Sequence, residues 1–236
     1  MTRPAVFIVC APNPRAGVTT TARLLAEWRL YNGDPVSVFD TDPDFAPQTR
    51  FVHGHARTAD LATVDGQMAL FDGLLADDGA TRIADIWCRS YRRFVDLAGE
   101  IGFFAEAARR GADTHIVFAA DGSDGSLAEA WALHERFPDT RLLIAVNGAR
   151  VPPGDHTLGR LASFPTTQGF SFPALDPVAA SVLDGFNGRL ARFIDNPPED
   201  LSIVVRARMR DWVTRAFVQF RAFDVRRAFE ATSLLG

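Results

Sequence analysis

The chain has 236 residues, of which 47% are hydrophobic and 23% are charged, and its formal net charge is −4 at neutral pH. This length and composition are ordinary for a globular protein and predict a single domain over residues 1–236. The acidic balance excludes a global positive field for nucleic acid, and no apolar run approaches the ~20 residues that span a bilayer.

Two features of the composition bear on chemistry and compartment. All 25 basic residues are arginine, so the chain contains no lysine. The two cysteines, Cys10 and Cys88, form neither a disulfide framework nor a metal motif, and we expect two buried free thiols. The alternative is that neighbouring strands bring the thiols close together. Because no signal-peptide pattern precedes the first strand, the expected compartment is the cytoplasm, with recruitment to a membrane or a nucleoid-associated assembly left open.

The first predicted strand, Ala5 to Cys10, is a continuous apolar run typical of a strand covered on both faces. A turn-forming segment follows, and helical periodicity then extends from Thr19 to Asn32. In such a loop, successive backbone N–H groups with a helix dipole behind them attract anions. Residues 5–32 therefore predict a phosphate-sized loop before a helix N-terminus.

The loop fits only part of a known phosphate-binding pattern. Gly17 and Thr19 match the end of the P-loop pattern G-x-x-x-x-G-K-[ST], in which the hydroxyl at position 19 would hold Mg²⁺. Pro12 stands where the first glycine is expected, and Val18 stands where the lysine is expected.

The stretch from Asn13 to Thr20 resembles the deviant Walker A loop of ParA/MinD-type ATPases, which reads K-G-G-x-G-K-T-T. Three positions agree: Gly17, Thr19 and Thr20. The replaced positions are Asn13 for the signature lysine, Pro14 and Arg15 for the glycine pair, and Val18 for the phosphate-binding lysine. The resemblance implies that Gly17, Thr19 and Thr20 bind nucleotide. Arg15 is a candidate replacement cation, because a guanidinium is a good bidentate partner for phosphate.

The second predicted strand, Pro35 to Phe39, ends in Asp40-Thr41-Asp42-Pro43, which resembles the D-x-D-P element of the same family. The resemblance implies that Asp40 is catalytic, as a switch I residue that helps orient the attacking water. Asx turns before proline use the same residues, and this alternative stays open. Residues 44–64, with His53 and His55, are expected to form a solvated loop.

The middle of the chain continues the alternation of helices and strands. We expect a helix over Asp65 to Ala76, a strand over Thr81 to Trp87 and an aromatic-rich helix over Arg93 to Arg110. Asp85 falls where the family has its Walker B aspartate, which implies that it reaches Mg²⁺ through water.

Two further strands are predicted over Thr114 to Ala120 and over Arg141 to Asn147. The resemblance implies that Asn147 reads the adenine edge, whereas an asparagine in a turn before Gly148 is the alternative. A long connection over residues 148–171 should lead to a short last strand, Phe172 to Val178. The next helix begins with Asp176 as N-cap and Pro177 as first residue and is predicted to run to about Asp195.

An amphipathic helical segment is predicted over about residues 198–234. Apolar residues recur there at steps of three and four: Leu201, Val205, Met209, Trp212, Ala216, Phe220 and Phe223. Such a stripe either docks on the sheet or forms a surface for a partner chain, a membrane or nucleic acid.

Strands that alternate with helices along the whole chain predict an α/β fold, doubly wound, with a mostly parallel sheet and helices on both faces. The resemblance covers residues 5 to about 195 and implies a P-loop NTPase-like domain that takes ATP or ADP with Mg²⁺, or neither if the loop is vestigial. Losing two cations aimed at phosphate should suppress turnover by orders of magnitude.

Three functions follow from these observations. The leading hypothesis is a ParA/MinD-like protein with little or no ATPase activity, which acts as a structural or regulatory subunit of a larger assembly, either dimeric or bound to a protein partner. The first alternative is an active but slow nucleotide-dependent dimerising switch that uses Arg15 and works in plasmid or cargo positioning, conjugal transfer or secretion. The second alternative is a plain partner-binding module.

Overall fold

The computed structural model describes residues 5–151 and 169–233. The strands in these ranges are β1 (Ala5–Cys10), β2 (Val36–Asp40), β3 (Ala56–Thr58), β4 (Thr81–Ile86), β5 (Asp113–Ala120), β6 (Arg141–Asn147) and β7 (Gly169–Phe172). The helices are α1 (Val18–Tyr31), α2 (Pro47–Phe51), α3 (Val64–Leu74), α4 (Tyr91–Glu100), α5 (Phe103–Arg109), α6 (Asp124–Arg136), α7 (Pro177–Gly185), α8 (Arg192–Asp195) and α9 (Ile203–Ser233).

The strands form one parallel sheet in the order β3-β2-β4-β1-β5-β6-β7. On one side of the central strand β1 the chain runs to β2 and β3 and returns to insert β4 between β2 and β1, and on the other side β5, β6 and β7 follow outward in order. Because all strands are parallel, the carboxyl ends of β1 and its neighbours meet at one edge of the sheet. In open α/β sheets, ligands bind at the point where the strand order reverses. The predicted fold class is confirmed.

Helices cover both faces of the sheet, as the continuous apolar run of β1 requires. Phe7 and Val9 point to a layer that contains α1, α7 and α9, whereas Ile8 and Cys10 point to a layer that contains α3, α4, α5 and α6. Every residue of β1 is buried. A strand buried on both sides needs no polar alternation, which is why its bounds were readable from sequence.

Helix α9 docks on the first of these layers. Its buried residues include much of the predicted stripe, namely Met209, Trp212, Ala216, Phe220 and Phe223. The side chain of Gln219 also pairs with the edge strand β7, since its Oε1 accepts from the Ser171 N–H at 2.7 Å and its Nε2 donates to the Ser171 carbonyl at 2.7 Å. The apolar stripe therefore belongs to the core of the protein.

The prediction of a structureless loop over residues 44–64 is wrong, because this segment contains α2 and β3. Helix α2 has five residues and strand β3 has three, so neither is long enough to show a hydrophobic period. Strand β3 is defined by its parallel pairing with β2, in which Val38 faces Ala56 and Asp40 faces Thr58. His53 and His55 are exposed, as expected.

Two predicted helices are shorter than expected. The helix over Arg93 to Arg110 is divided into α4 and α5 at Gly102, whose φ of +63° is left-handed. The helix predicted to run to about Asp195 ends at Gly185. At this end the Arg23 guanidinium donates to the carbonyls of Leu183 and Phe186, at 3.1 and 2.5 Å.

The last strand is also displaced from its predicted position. It covers Gly169–Phe172 instead of Phe172 to Val178, because its register is set by β6, where Asn147 faces Phe172. The predicted start of α7 is correct: Asp176 caps the helix by accepting from the N–H groups of Val178 and Ala179. Residues 152–168 of the predicted long connection lie outside the described residues.

The two thiols differ in their surroundings. Cys10 is buried and Cys88 is half-buried, and both are free. Burial raises the pKa of the Cys10 thiol well above its usual range. Among the residues that the structure describes, no helix is long and apolar enough to span a membrane.

Asp224 ties α9 to α1, and its removal should destabilise the fold. Its carboxylate accepts from Trp28 Nε1 at 2.8 Å and from Arg29 Nη2 at 2.5 Å. Asp224→Ala leaves both donors without this acceptor, and we expect it to lower the free energy of unfolding by roughly 2–4 kcal/mol. Urea denaturation followed by circular dichroism measures the change.

The matched control is Asp211→Ala, which removes an exposed carboxylate of the same helix that pairs with Arg215. Exposed pairs contribute little, so this change should stay within about 0.5 kcal/mol. Equal effects of the two substitutions would contradict the anchoring role of Asp224.

Candidate functional site

A cavity of about 610 Å³ opens at the carboxyl edge of the sheet, where β1, β4 and β6 end. Six predicted site residues line it, namely Arg15, Gly17, Thr19, Thr20, Asp85 and Asn147. The other lining residues are Asn13, Pro14, Ala16, Val18, Asp42, Trp87, Cys88, Ala149, Arg150 and Asp184. The volume suits a small-molecule ligand. The fold has assembled predicted residues that are distant in sequence, such as Arg15 from the loop before α1 and Asn147 from the end of β6.

The loop that forms the floor of the cavity has a specific backbone shape. Arg15 and Gly17 adopt left-handed conformations, with φ of +60° and +106°. A Cβ at position 17 would lie 3.0 Å from Asn147 Nδ2, so glycine serves both the conformation and the close approach. Asn13 ties the loop to the turn after β5, since its Nδ2 donates to Asp121 Oδ2 at 2.6 Å.

The N-terminus of α1 opens toward this loop without a cap. Its N-cap residue is Gly17, no side chain accepts from its first N–H groups, and its first turn contains no acidic residue. The first N–H groups of a helix have no partner within the helix, and the helix dipole adds a partial positive charge there. This end of α1 can therefore accept an anion such as phosphate.

The charges around the loop differ from those of a lysine-bearing P-loop. Val18 occupies the position where that pattern has its lysine, and a valine brings no charge to the cavity. Its side chain is only 9% exposed and belongs to the apolar core. In the part of the chain that the structure describes, the cationic residues that line the cavity are Arg15 and Arg150, both exposed. Sequence reasoning missed Arg150, although its position three residues after a strand end was an available signal.

A buried polar network lies beside the loop and centres on Asp85. Thr19 Oγ1 donates to Asp85 Oδ1 at 3.4 Å, and Gln48 Nε2 donates to Asp85 Oδ2 at 2.8 Å and to the Thr19 carbonyl at 2.9 Å. Gln48 is fully buried, and its Oε1 has no hydrogen-bond partner. Sequence reasoning also missed this glutamine, because it lies on the short helix α2.

Asp40 lies behind this network and does not line the cavity. Its carboxylate accepts from the backbone N–H groups of Asp42 at 3.0 Å and Gln48 at 2.9 Å. It therefore organises the turn from β2 to α2. Asp42 is the residue of this pair that reaches the cavity lining, and its own carboxylate accepts from the backbone of Asp44 and Phe45.

Burial raises the pKa values of two carboxylates beside the cavity, those of Asp85 and Asp40. The pKa of Asp85 is raised to about 7 by desolvation and by the nearby charge of Asp40, and desolvation raises the pKa of Asp40 to about 6. A cation beside Asp85 would favour its ionised form. The Thr19 hydroxyl and the Asp85 carboxylate are oxygen ligands of the kind that Mg²⁺ prefers.

A magnesium ion would need further oxygen ligands at this position. Within residues 5–151 and 169–233, no group of three or more His, Cys, Asp or Glu residues is arranged to hold a metal ion. Mg²⁺ commonly keeps several waters and binds through one or two protein oxygens together with substrate phosphates. The residues present therefore fit a metal that arrives with a phosphate ligand.

Asn147 lies against the loop at Gly17. Its Oδ1 accepts from the Ala149 N–H at 3.0 Å, as in an asparagine turn, while its Nδ2 faces the position of a Cβ on Gly17. The structure thus places Asn147 at the cavity with one amide oxygen engaged locally.

The fold of this chain is similar to that of a solved structure. No protein-family model matches the sequence, and no curated protein matches it either. The structure is similar to a crystal structure from Borrelia burgdorferi, described as a plasmid partition protein bound to AMPPNP, with a TM-score of 0.51 and 9% identity over 92% of this chain and 99% of that chain. At this identity the similarity concerns the fold alone.

The raised pKa of Asp85 predicts a pH-dependent effect of Asp85→Asn. The pKa of Asp85 is higher in the folded protein than in the unfolded chain, so the protonated Asp85 carboxyl favours the folded state. This favourable effect on the free energy of unfolding is lost as the pH rises toward about 7 and the folded protein must release the proton. Relative to the Asn variant, the wild type should lose stability on the order of 2 kcal/mol between pH 5 and about pH 8. Urea denaturation of both proteins across this range measures the difference.

Asp65→Asn serves as the control, since Asp65 is exposed in the first turn of α3. Its stability difference from the wild type should show no such decline over the same pH range. A flat difference for Asp85→Asn as well would contradict the raised pKa.

Proposed function

We propose that this chain is a ParA/MinD-like nucleotide-binding protein that holds ATP or ADP with Mg²⁺, has little or no ATPase activity and acts as a structural or regulatory subunit. The observation that carries the proposal is the uncapped N-terminus of α1, which opens on a cavity beside the half-buried Thr19 and its hydrogen-bond acceptor, the buried Asp85. One side of the cavity suits phosphate and the other suits a cation.

Each part of a magnesium nucleotide has residues that suit it. The N–H groups at the start of α1 and the Thr20 side chain would bind phosphate, with Gly17 allowing close approach. Thr19 would hold the metal by its hydroxyl, and Asp85 would hold it through water. The bound metal would supply neutralisation of phosphate charge. Asn147 stands where the family resemblance implies contact with the base.

Three features support weak or absent hydrolysis. Position 18 carries a buried valine, and the whole chain has no lysine to replace it. Pro12 and Pro14 each remove a backbone donor from the loop. Asp40, the proposed switch I residue, is engaged by backbone N–H groups behind the cavity. Phosphoryl transfer depends on cations near the phosphates and on a positioned nucleophile. The loop has lost its lysine cations, and Asp40 is held away from the cavity where it would orient a water.

An active but slow dimerising switch is the second candidate function. The exposed Arg15 favours it, because this guanidinium belongs to the loop itself and lines the cavity. If Arg15 carried the charge of the missing lysine, Arg15→Ala would abolish nucleotide binding. Unchanged affinity in that variant would count against this candidate.

We infer that the chain works with a protein partner, either as a homodimer or within an assembly. The structurally similar Borrelia protein is described as a plasmid partition protein, and partition, transfer and secretion remain the candidate settings. Contact with nucleic acid or membrane would be indirect or would use the outer face of α9, since its apolar stripe is buried. We propose the cytoplasm as its compartment, because no signal-peptide pattern precedes the first strand.

Nucleotide titration and a phosphate-release assay test the proposed function together. Isothermal titration with ATP, ADP and GTP should give saturable binding that weakens when Mg²⁺ is removed. Thr19→Ala should weaken Mg²⁺-dependent binding about tenfold or more, because it removes an oxygen ligand beside Asp85. Phosphate release should stay at background.

The control is Thr214→Ala, which removes an exposed threonine of α9 and should leave affinity unchanged. Absence of binding by the wild type would overturn the nucleotide-binding proposal. Tight binding with measurable turnover that Asp40→Ala abolishes would overturn the inactive-subunit proposal and favour the switch.

A further inference from the structure

We propose that Arg150, from the turn after β6, binds the polyphosphate of the nucleotide in place of the missing P-loop lysine. This inference rests on the proposed function and names the residue that supplies the positive charge. The charge would come from a different element of the fold than in a lysine-bearing loop.

The backbone of Arg150 is held at the rim of the cavity. Its N–H and that of Val151 both donate to the Asn147 carbonyl, at 2.8 and 2.9 Å. Val151 is only 3% exposed and packs in the apolar layer below, so the turn is anchored on both sides of Arg150. The side chain therefore starts from a fixed point beside the loop.

The guanidinium of Arg150 is also oriented. Its Nε donates to the Arg15 carbonyl at 3.2 Å, which holds it against the loop that faces the helix N-terminus. A guanidinium has five N–H donors, and the two terminal nitrogens of Arg150 have no hydrogen-bond partner within residues 5–151 and 169–233. Neither Arg150 nor Arg15 has a carboxylate partner among the described residues, in contrast to Arg29 and Arg227, which pair with Asp224 and Asp113.

Arg150 is better prepared for this role than Arg15. The side chain of Arg15 makes no hydrogen bond among the described residues, whereas that of Arg150 is fixed by one. A ligand that meets an already oriented group loses less conformational entropy on binding. Among the described residues, these two arginines are the cationic side chains that line the cavity, and Asp42, Asp85 and Asp184 line it as well.

The experiment compares the affinities of ATP, ADP and AMP in Mg²⁺ by isothermal titration for the wild type and four variants. Arg150→Ala should weaken ATP and ADP binding by about 10- to 100-fold and AMP binding much less, since AMP has one phosphate. Arg150→Lys should restore part of the loss, because a point charge replaces the bidentate fork. Arg15→Ala should have the smaller effect of the two alanine variants.

Arg226→Ala is the matched control, since it removes the charge of an exposed arginine on α9. Its affinities should equal those of the wild type. Raising ionic strength should weaken ATP binding more steeply in the wild type than in Arg150→Ala, which a merely structural role would not produce. Because Arg150 is exposed, the melting temperature of its alanine variant should be unchanged.

The outcomes separate this inference from the function on which it rests. If the wild type binds ATP and Arg150→Ala binds it equally well, the role of Arg150 is wrong and nucleotide binding stands. If Arg150→Ala weakens ATP, ADP and AMP equally, the residue does not act on the polyphosphate, and the inference is again overturned. If the wild type binds none of the three nucleotides, the proposed nucleotide-binding function is wrong, and the role of Arg150 is overturned with it.

Discussion

The structure depends on how α1 begins. A helix that starts directly after the central strand of a parallel sheet points its positive end at the carboxyl edge, and Gly17 leaves that end without a side-chain acceptor. The neighbouring strand places Asp85 beside it, where burial disfavours the carboxylate charge. The cavity therefore contains a helix end that attracts an anion and a carboxylate that attracts a cation. The magnesium nucleotide that we propose would have the charges that both require, with its phosphates at α1 and its metal beside Asp85.

The same helix also holds the surrounding elements in place. Arg23, in the second turn of α1, donates to the carbonyls of Leu183, Phe186 and Gly188 and stacks 3.9 Å from the ring centroid of Phe51. It therefore joins the end of α7 to α2 through one buried guanidinium. A chain without lysine uses arginine in two ways: buried guanidinium groups satisfy carbonyls and carboxylates, while exposed ones at the cavity stay available for an anion.

Much of the fold was predictable because its signals are local. The apolar runs of β1 and β6 gave both strands with the bounds that the structure has, and the cap formed by Asp176 with Pro177 marked the start of α7. The failures concern elements without local signals. Strand β3 exists because β2 supplies hydrogen bonds, and the division between α4 and α5 comes from a left-handed Gly102 inside a continuous helical pattern. Short elements and single backbone angles are set by their surroundings.

The amino-acid sequence by itself determined the alternation of strands and helices, the loop before α1 and the loss of lysine from it, because hydrophobic period and residue identity are properties of neighbouring positions. Only the tertiary structure decided which side chains reach the cavity. It buried Val18 in the core, placed Gln48 between Thr19 and Asp85, and brought Arg150 to the loop. The reason is that parallel pairing gathers strand ends that are far apart in sequence, and no local pattern records which of them become neighbours.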